Sequence, residues 1–260
     1  MITAGIDVGN KITKALILKD GEILSRAQTP SGFVQKKAAR DAFAEALKLA
    51  GLREADVAYT MATGAGRNEV TFAQGRITEV GAAARGAIKL YPEARTVIDV
   101  GAEEGRALKM DEAGKVIDFA INEKCAAGAG SFVESMSRAL EVSLEEMGPL
   151  SLKAEKAVPM NAQCAVFAES EVVSLIHARI PKADIAKSIH KAMASRISSM
   201  VRRVGLQKEM VMLGGVARNE GFVQALEEDL ELKLLIPADY PEYISALGAA
   251  LAAAEKAGVK

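Results

Sequence analysis

Residues 6–23 read IDVGNKITKALILKDGEI, which predicts a strand, a glycine turn, a second strand and a hairpin turn at Asp20-Gly21. The same opening recurs in IDVGAEEGRALKMDEAGKVI (residues 98–117), where Arg106 stands opposite Lys14. A repeated strand–turn–strand context is the pattern of an internal duplication. The sequence therefore predicts two related halves, residues 1–94 and 95–260, each opening with a β-hairpin.

Strands and helices alternate through the rest of the chain. The segment KKAARDAFAEALKLAG (residues 36–51) predicts a helix with Ala39, Phe43, Ala46, Leu47 and Ala50 on one face. Further strands are predicted at residues 57–63, 209–215 and 232–237 (LKLLIP), and further helices at 77–91, after Cys125, after Cys164, and at 182–203, 219–229 and from about 243. This alternation favours an α/β fold with a cleft between the halves, and the final helix could pack back on the first half.

Composition points to a cytoplasmic globular protein. Half of the 260 residues are hydrophobic, the net charge is −1, and no block of basic residues predicts a nucleic-acid or membrane surface. No signal peptide or membrane-spanning stretch is recognisable, and a structural disulfide is not expected in a reducing compartment. Plentiful Ala and Gly predict close packing between backbones.

The first glycine turn, DVGNKITK (residues 7–14), has the composition of a phosphate-binding loop. Gly9 permits a tight turn, and Asp7 at the strand end could hold Mg²⁺ through water. Backbone amides, the Thr13 hydroxyl and the Lys14 ammonium could surround phosphate oxygens. The nucleotide-binding residues expected in this turn are Gly9, Asn10, Lys11, Ile12, Thr13 and Lys14.

Two later turns complete a set of three. The second, DVGAEEGR (residues 99–106), repeats the glycine turn at Gly101 and Ala102 and adds the carboxylates of Asp99, Glu103 and Glu104. The third, LGGVARNEG (residues 213–221), could admit a flat ring or ribose, and its expected contacts are Gly214, Gly215, Val216 and Arg218. Each turn alone could be a plain β-turn. Their shared order resembles that of the actin/hexokinase/Hsp70 superfamily: two phosphate loops, then an adenosine loop.

The two cysteines stand at predicted helix starts. Cys125 lies in NEKCAAGAGSF (residues 122–132) and Cys164 in NAQCAVFAESEV (residues 161–172). Two thiols are too few for an iron–sulfur cubane or a structural zinc, which each take four ligands, but two copies of the chain would supply four. A zinc-bridged dimer and small buried thiols without a ligand are the alternatives.

The full set of motifs resembles the activator ATPases of 2-hydroxyacyl-CoA dehydratases and the ATPase subunits of benzoyl-CoA reductase. The motifs are GIDVGNKITK, TGAGR (residues 63–67), VIDVG, KCAAGAGSF, CAVFAESEV and LGGVARN. The resemblance implies a dimer with itself or a close paralogue, sharing one [4Fe–4S] cluster on Cys125 and Cys164. It also implies ATP with Mg²⁺, electrons from ferredoxin or flavodoxin, and an acyl-CoA dehydratase or reductase component as partner.

Several positions depart from the family's pattern. Asn10 replaces a common Ser, and Gly101-Ala102-Glu103-Glu104 stands where GGQD is frequent. Glu103 is therefore expected to orient the attacking water, with Asp99 and Asp7 as the other catalytic carboxylates. Ala82-Ala83 replaces Cys-His, and PEAR (residues 92–95) leans toward the benzoyl-CoA reductase branch. The alternative function is a sugar or metabolite kinase without redox chemistry, in which Asp99 accepts a hydroxyl proton.

Overall fold

The computed structural model describes residues 1–122, 130–160 and 164–258 of the chain. The chain folds into two compact units. The first comprises Met1–Arg95, Met110–Ile117 and Ala238–Lys260, and the second comprises Thr96–Lys109 and Asp118–Pro237. The end of the chain therefore belongs to the first unit.

The first unit is built on a five-stranded sheet with the order β3-β2-β1-β4-β5. Its strands are β1 (Ile2–Val8), β2 (Ile12–Lys19), β3 (Glu22–Pro30), β4 (Tyr59–Thr63) and β5 (Gly75–Arg76). Strand β1 pairs antiparallel with β2 and parallel with β4. Asp20 and Gly21 have positive φ angles between β2 and β3, which confirms the predicted hairpin turn.

Three helices belong to the first unit: α1 (Gln35–Ala50), α2 (Glu79–Leu90) and, from the end of the chain, α8 (Ile244–Gly258). Helix α1 buries Ala39, Phe43, Ala46 and Leu47 against the sheet, as its periodicity predicts, while Ala50 is half-buried. It ends at Gly51, whose left-handed φ of 66° suits a residue without a Cβ.

Helices α2 and α8 cross at small residues. A Cβ on Gly248 would lie 1.8 Å from the carbonyl oxygen of Ala82, and one on Gly86 would lie 2.1 Å from that of Ile244. Only glycine at these two positions lets the backbones approach so closely. The crossing confirms the close backbone packing that the composition predicts.

The second unit repeats the strand arrangement of the first. Its sheet has the order β8-β7-β6-β9, with β6 (Thr96–Val100), β7 (Gly105–Met110), β8 (Val116–Asn122) and β9 (Met210–Leu213). Strand β6 pairs antiparallel with β7 and parallel with β9, as β1 does with β2 and β4. The duplicated α/β fold predicted from the repeated IDVG is therefore confirmed.

In the described part of the second unit, five helices accompany this sheet: α3 (Gly130–Leu140), α4 (Leu144–Leu152), α5 (Ala165–His177), α6 (Lys182–Val204) and α7 (Glu220–Leu230). They enclose a core that includes Phe132, Ile189 and Phe222. Helix α4 was not predicted, although Ser143 and Glu146 form the capping box that marks its start.

The predicted strand at residues 232–237 is wrong. Only Leu235 pairs there, through an isolated parallel bridge with Val211. The amide of Leu234 donates instead to the Glu227 carboxylate, and Pro237 has no N–H to offer a neighbouring strand. An apolar run therefore passes beside the sheet without joining it as a strand.

None of the helices within the three described ranges is both long and apolar enough to cross a bilayer.

Candidate functional site

The first predicted turn begins where β1 ends. Asp7 and Lys14 are cross-strand partners on β1 and β2, so their side chains meet on one face. The Lys14 ammonium lies 3.2 Å from the Asp7 carboxylate, and both groups are mostly buried. The structure thus brings together the carboxylate and the ammonium that the sequence assigns to Mg²⁺ and phosphate.

The connecting residues form a short, exposed loop over this pair. Asn10 and Ile12 are partly exposed and Lys11 is exposed, whereas Thr13 is fully buried. The Thr13 hydroxyl lies 2.9 Å from the Ser31 hydroxyl. Thr13 is therefore part of the internal framework of the turn, which differs from the outward-facing hydroxyl expected from the sequence.

The second turn has the same construction in the second unit. Arg106 on β7 is the cross-strand partner of Asp99 on β6, and its guanidinium lies 3.2 Å from the Asp99 carboxylate. Arg106 also pairs with Glu104. The Gly101 amide donates to the Glu104 carbonyl across the loop between β6 and β7, and Glu103 in this loop is exposed. The Glu103 side chain is therefore accessible to solvent beside the Asp99–Arg106 pair.

A left-handed glycine faces each aspartate from the neighbouring parallel strand. Gly64, in TGAGR, has a φ of 91°, and a Cβ there would lie 2.6 Å from the Asp7 carboxylate. Gly214 has a φ of 88°, and a Cβ there would lie 2.8 Å from the Asp99 carboxylate. The sequence assigned no role to Gly64. The sequence feature that could have indicated this role is the position of Gly64 at the end of a predicted strand, which Gly214 shares.

The third turn adjoins a cavity of about 320 Å³ in the second unit. Gly215 to Arg218 form a single 3₁₀ turn, and a Cβ on Gly215 would meet nothing within 4 Å. Arg218 lines the cavity together with Leu152, Val223, Gln224 and Ile236. Ala217 completes its apolar side, and the charged residues Glu220, Glu227 and Lys233 complete its polar side.

Cys164 is the N-cap of α5, and Cys125 lies outside the described residues. The Cys164 thiol is half-buried and free, and the Ala168 amide donates to the Cys164 carbonyl at 2.9 Å. A thiol at a helix N-terminus lies beside backbone N–H groups that have no partner within the helix and beside a partial positive charge. No cluster of three His, Cys, Asp or Glu side chains in the described ranges could hold a metal ion.

The second turn is hydrogen-bonded to the start of α3, the helix that follows the Cys125 segment. The Gly130 amide donates to the Gly101 carbonyl at 2.9 Å, and the Ser131 amide donates to the Ala102 carbonyl at 2.7 Å. A Cβ on Gly130 would lie 3.0 Å from Val216 of the third turn. Two predicted nucleotide turns and the start of α3 are therefore in direct contact.

Two proteins that match this chain over nearly its full length are activators of acyl-CoA dehydratases. The activator of 2-hydroxyisocaproyl-CoA dehydratase from Clostridium difficile, solved with bound ADPNP, matches with a TM-score of 0.93 and 36% identity over 99% of this chain and 96% of that chain. The activator of lactoyl-CoA dehydratase from Anaerotignum propionicum is 40% identical over the full length of both chains. The fold is therefore that of the actin/hexokinase-like ATPases, and the chain is an ATPase.

The particular family follows from the chain-wide match. The profile of the BadF/BadG/BcrA/BcrD ATPase family covers residues 4–253. A benzoyl-CoA reductase subunit from Thauera aromatica is 35% identical over 96% of this chain and 92% of its own length. The chain belongs to the BadF/BadG/BcrA/BcrD ATPase family, which confirms the resemblance noted from its motifs.

Proposed function

We propose that this chain is an ATP-hydrolysing activator that delivers a low-potential electron to an acyl-CoA dehydratase or a benzoyl-CoA reductase-type component. The observation that carries this proposal is the free Cys164 thiol at the start of α5, in a chain whose full-length relatives are dehydratase activators. A kinase of the same fold has no need of a thiol there. Cytoplasmic ferredoxin or flavodoxin is the proposed electron donor.

The metal centre we propose is one [4Fe–4S] cluster held by Cys125 and Cys164 from each of two copies. The half-buried thiol of Cys164 and the helix N-terminus beside it fit a negatively charged cluster. Two cysteines per chain supply half of the four thiolates that a cubane takes, so the centre needs two chains. When bound, the cluster would accept and release single electrons.

The nucleotide contacts that we propose lie in the three glycine turns. Lys14 and the amides of residues 9–13 bind phosphate oxygens, and Asp7 holds Mg²⁺ through water. Gly101 and Ala102 form the second phosphate turn, in which Ala102 contributes its backbone amide because the Gly101 amide already donates to the Glu104 carbonyl. Asp99 and the exposed Glu103 orient the attacking water. Adenine is assigned to the third turn, where Arg218 lines the cavity and Gly214, Gly215 and Val216 precede it in the chain.

Coupling between ATP and the cluster is proposed to pass through the start of α3. The Gly101 and Ala102 carbonyls accept from the Gly130 and Ser131 amides, so a shift of the second turn would move the first residues of α3. That helix follows the Cys125 segment directly. Phosphate binding and release would thereby change the surroundings of Cys125 without a redox step at the nucleotide.

A second copy of the chain, or a close paralogue, is the proposed occupant of the surface beside Cys164. Val166 and Phe167 follow the cysteine and are 68% and 69% exposed. Large apolar side chains at this exposure, next to a thiol that needs further ligands, favour a protein interface. The acyl-CoA component would dock on the dimer near the same cluster.

Anaerobic reconstitution tests the proposal directly. The wild-type chain should bind close to four iron and four sulfide per dimer and give a reduced cubane EPR signal that changes with ATP. Cys164→Ser should lose the iron and keep ATP hydrolysis, while Ser170→Ala in the same helix should keep both. A colourless wild-type protein would contradict the proposal, and so would full iron content in Cys164→Ser. Phosphoryl transfer to a small alcohol would favour the kinase instead.

A further inference from the structure

We propose that Ser31 is the residue that positions the first phosphate-binding turn, residues 9–13. The proposal rests on the assignment of ATP phosphates to this turn. Ser31 follows β3 and is only 2% exposed. Its hydroxyl lies 2.6 Å from the Gly9 carbonyl oxygen and 2.9 Å from the Thr13 hydroxyl, and its amide donates to the Lys11 carbonyl at 2.8 Å.

The direction of each hydrogen bond follows from the groups involved. A carbonyl oxygen only accepts, so the single hydroxyl hydrogen of Ser31 goes to Gly9. Thr13 must then donate its own hydroxyl hydrogen to Ser31. One buried residue thus binds the beginning, the middle and the end of the turn, and the Thr13 hydrogen is used within the turn and not on phosphate.

This anchoring sets the direction of the amides that would meet phosphate. In a trans peptide unit the C=O and the following N–H point in opposite directions. Because the Gly9 and Lys11 carbonyls point toward Ser31, the N–H groups of Asn10 and Ile12 point away from it. Ser31 therefore holds two donors in the orientation that an anion at the open side of the turn requires.

Ser25, on the β3 strand that precedes Ser31, offers a matched control. It is also buried, and its hydroxyl donates to the Ala46 carbonyl at 2.7 Å. That bond joins β3 to α1 and does not involve the turn. Ser31→Ala and Ser25→Ala each remove one buried hydroxyl bonded to a backbone carbonyl, so a general loss of stability should affect both alike.

The test compares ATP hydrolysis and the binding of two probes, ADPNP and adenosine. Ser31→Ala should raise the KM for ATP and the Kd for ADPNP roughly 5- to 30-fold, with a smaller change in kcat and with adenosine binding kept. Ser31→Thr keeps the hydroxyl and should restore both constants to within about threefold of wild type. Ser25→Ala should bind both probes as wild type does.

Two results would overturn the role of Ser31: unchanged ADPNP affinity in Ser31→Ala, or equal losses for ADPNP and adenosine. Should Ser31→Ala fail to fold, Thr13→Val breaks the same network from the other side and should weaken ADPNP binding while sparing adenosine. Equal binding of ADPNP by Thr13→Val and wild type would then reject the proposal. These readouts use nucleotide alone, so a failure of cluster assembly would reject the electron-transfer function without affecting them.

Discussion

At the scale of single residues, the two units pair their strand-end aspartates with different cationic side chains. Each strand-end aspartate faces a cation from the neighbouring strand, Lys14 for Asp7 and Arg106 for Asp99. Lysine offers a compact charge that can turn toward a phosphate, whereas the planar fork of arginine can bind two carboxylates at once. Arg106 does bind two, Asp99 and Glu104. We therefore interpret Lys14 as the nucleotide contact and Arg106 as a structural residue.

His190 is a second residue whose chemistry is set by its neighbours. It is fully buried, and burial lowers the pKa of its imidazole from 6.5 to about 4. The Asn219 carbonyl oxygen accepts from the Phe222 amide, so the Asn219 NH₂ group faces the His190 Nε2 atom at 3.1 Å. Nε2 must then accept, which requires a neutral ring. His190 thereby orients Asn219, the N-cap of α7.

We predict that His190 makes the protein less stable as the pH falls from about 6.5 to about 4. An unfolded histidine binds a proton in this window while the buried one does not, so unfolding becomes more favourable by up to about 3 kcal/mol. Urea unfolding at pH 7 and pH 4.5 should show a smaller pH difference for His190→Gln than for wild type. His177→Gln, at an exposed position, serves as the control, and an unchanged difference in His190→Gln would contradict the prediction.

At the scale of elements, the α2–α8 crossing depends on the absence of side chains. Gly248 and Gly86 each face a backbone carbonyl at a distance that no Cβ tolerates. Ala82 and Ala83 are fully buried in α2, and Ala82 is the residue that faces Gly248. Ala82 contacts Gly248 through its backbone carbonyl, and its small buried side chain suits the close approach of the two helices.

Gly248→Ala should destabilise the protein by about 2 kcal/mol or more, because the added methyl group forces the two helices apart. Gly258→Ala is the matched control in the same helix, since a Cβ there would meet nothing within 4 Å. It should be neutral or stabilise by up to about 1 kcal/mol through helix propensity. Thermal unfolding of both variants measures the difference, and equal midpoints would rule out the crossing as the cause.

At the scale of the whole molecule, the proposed cluster needs more thiols than one chain supplies. It has two cysteines, and the described one, Cys164, is followed by the exposed apolar residues Val166 and Phe167. Four thiolates complete a cubane, so the proposed cluster and the proposed dimer depend on each other. A change at the interface should therefore affect the metal content as well as the mass.

Phe167→Asp should convert the reconstituted dimer to a monomer and remove its iron, since a charge replaces the proposed apolar contact beside Cys164. Phe33→Asp is the control, because Phe33 is also exposed but lies on the loop before α1. Light scattering coupled to size exclusion, with iron analysis of the same fractions, provides the measurement. A dimeric Phe167→Asp protein with full iron would place the interface elsewhere.

Much of the fold could be predicted because its signals are local. The repeated IDVG, the Asp20-Gly21 turn and the periodicity of α1 each depend on neighbours in sequence. The LKLLIP segment has the same local appearance as a strand, yet Glu227 takes the Leu234 amide and only Leu235 pairs. The sequence could not show this, because the competing acceptor comes from another element.

The sequence by itself determined the class of fold, the three glycine turns, the two cysteines and, through their combination, the family. Tertiary structure alone decided which residues support those motifs. Ser31, directly after β3, reaches Gly9 between β1 and β2, and Gly130 reaches Gly101 from the start of α3. These contacts join residues far apart in the chain, and whether a buried hydroxyl or amide meets a particular carbonyl depends on how the elements pack. Local pattern carries no information about that geometry.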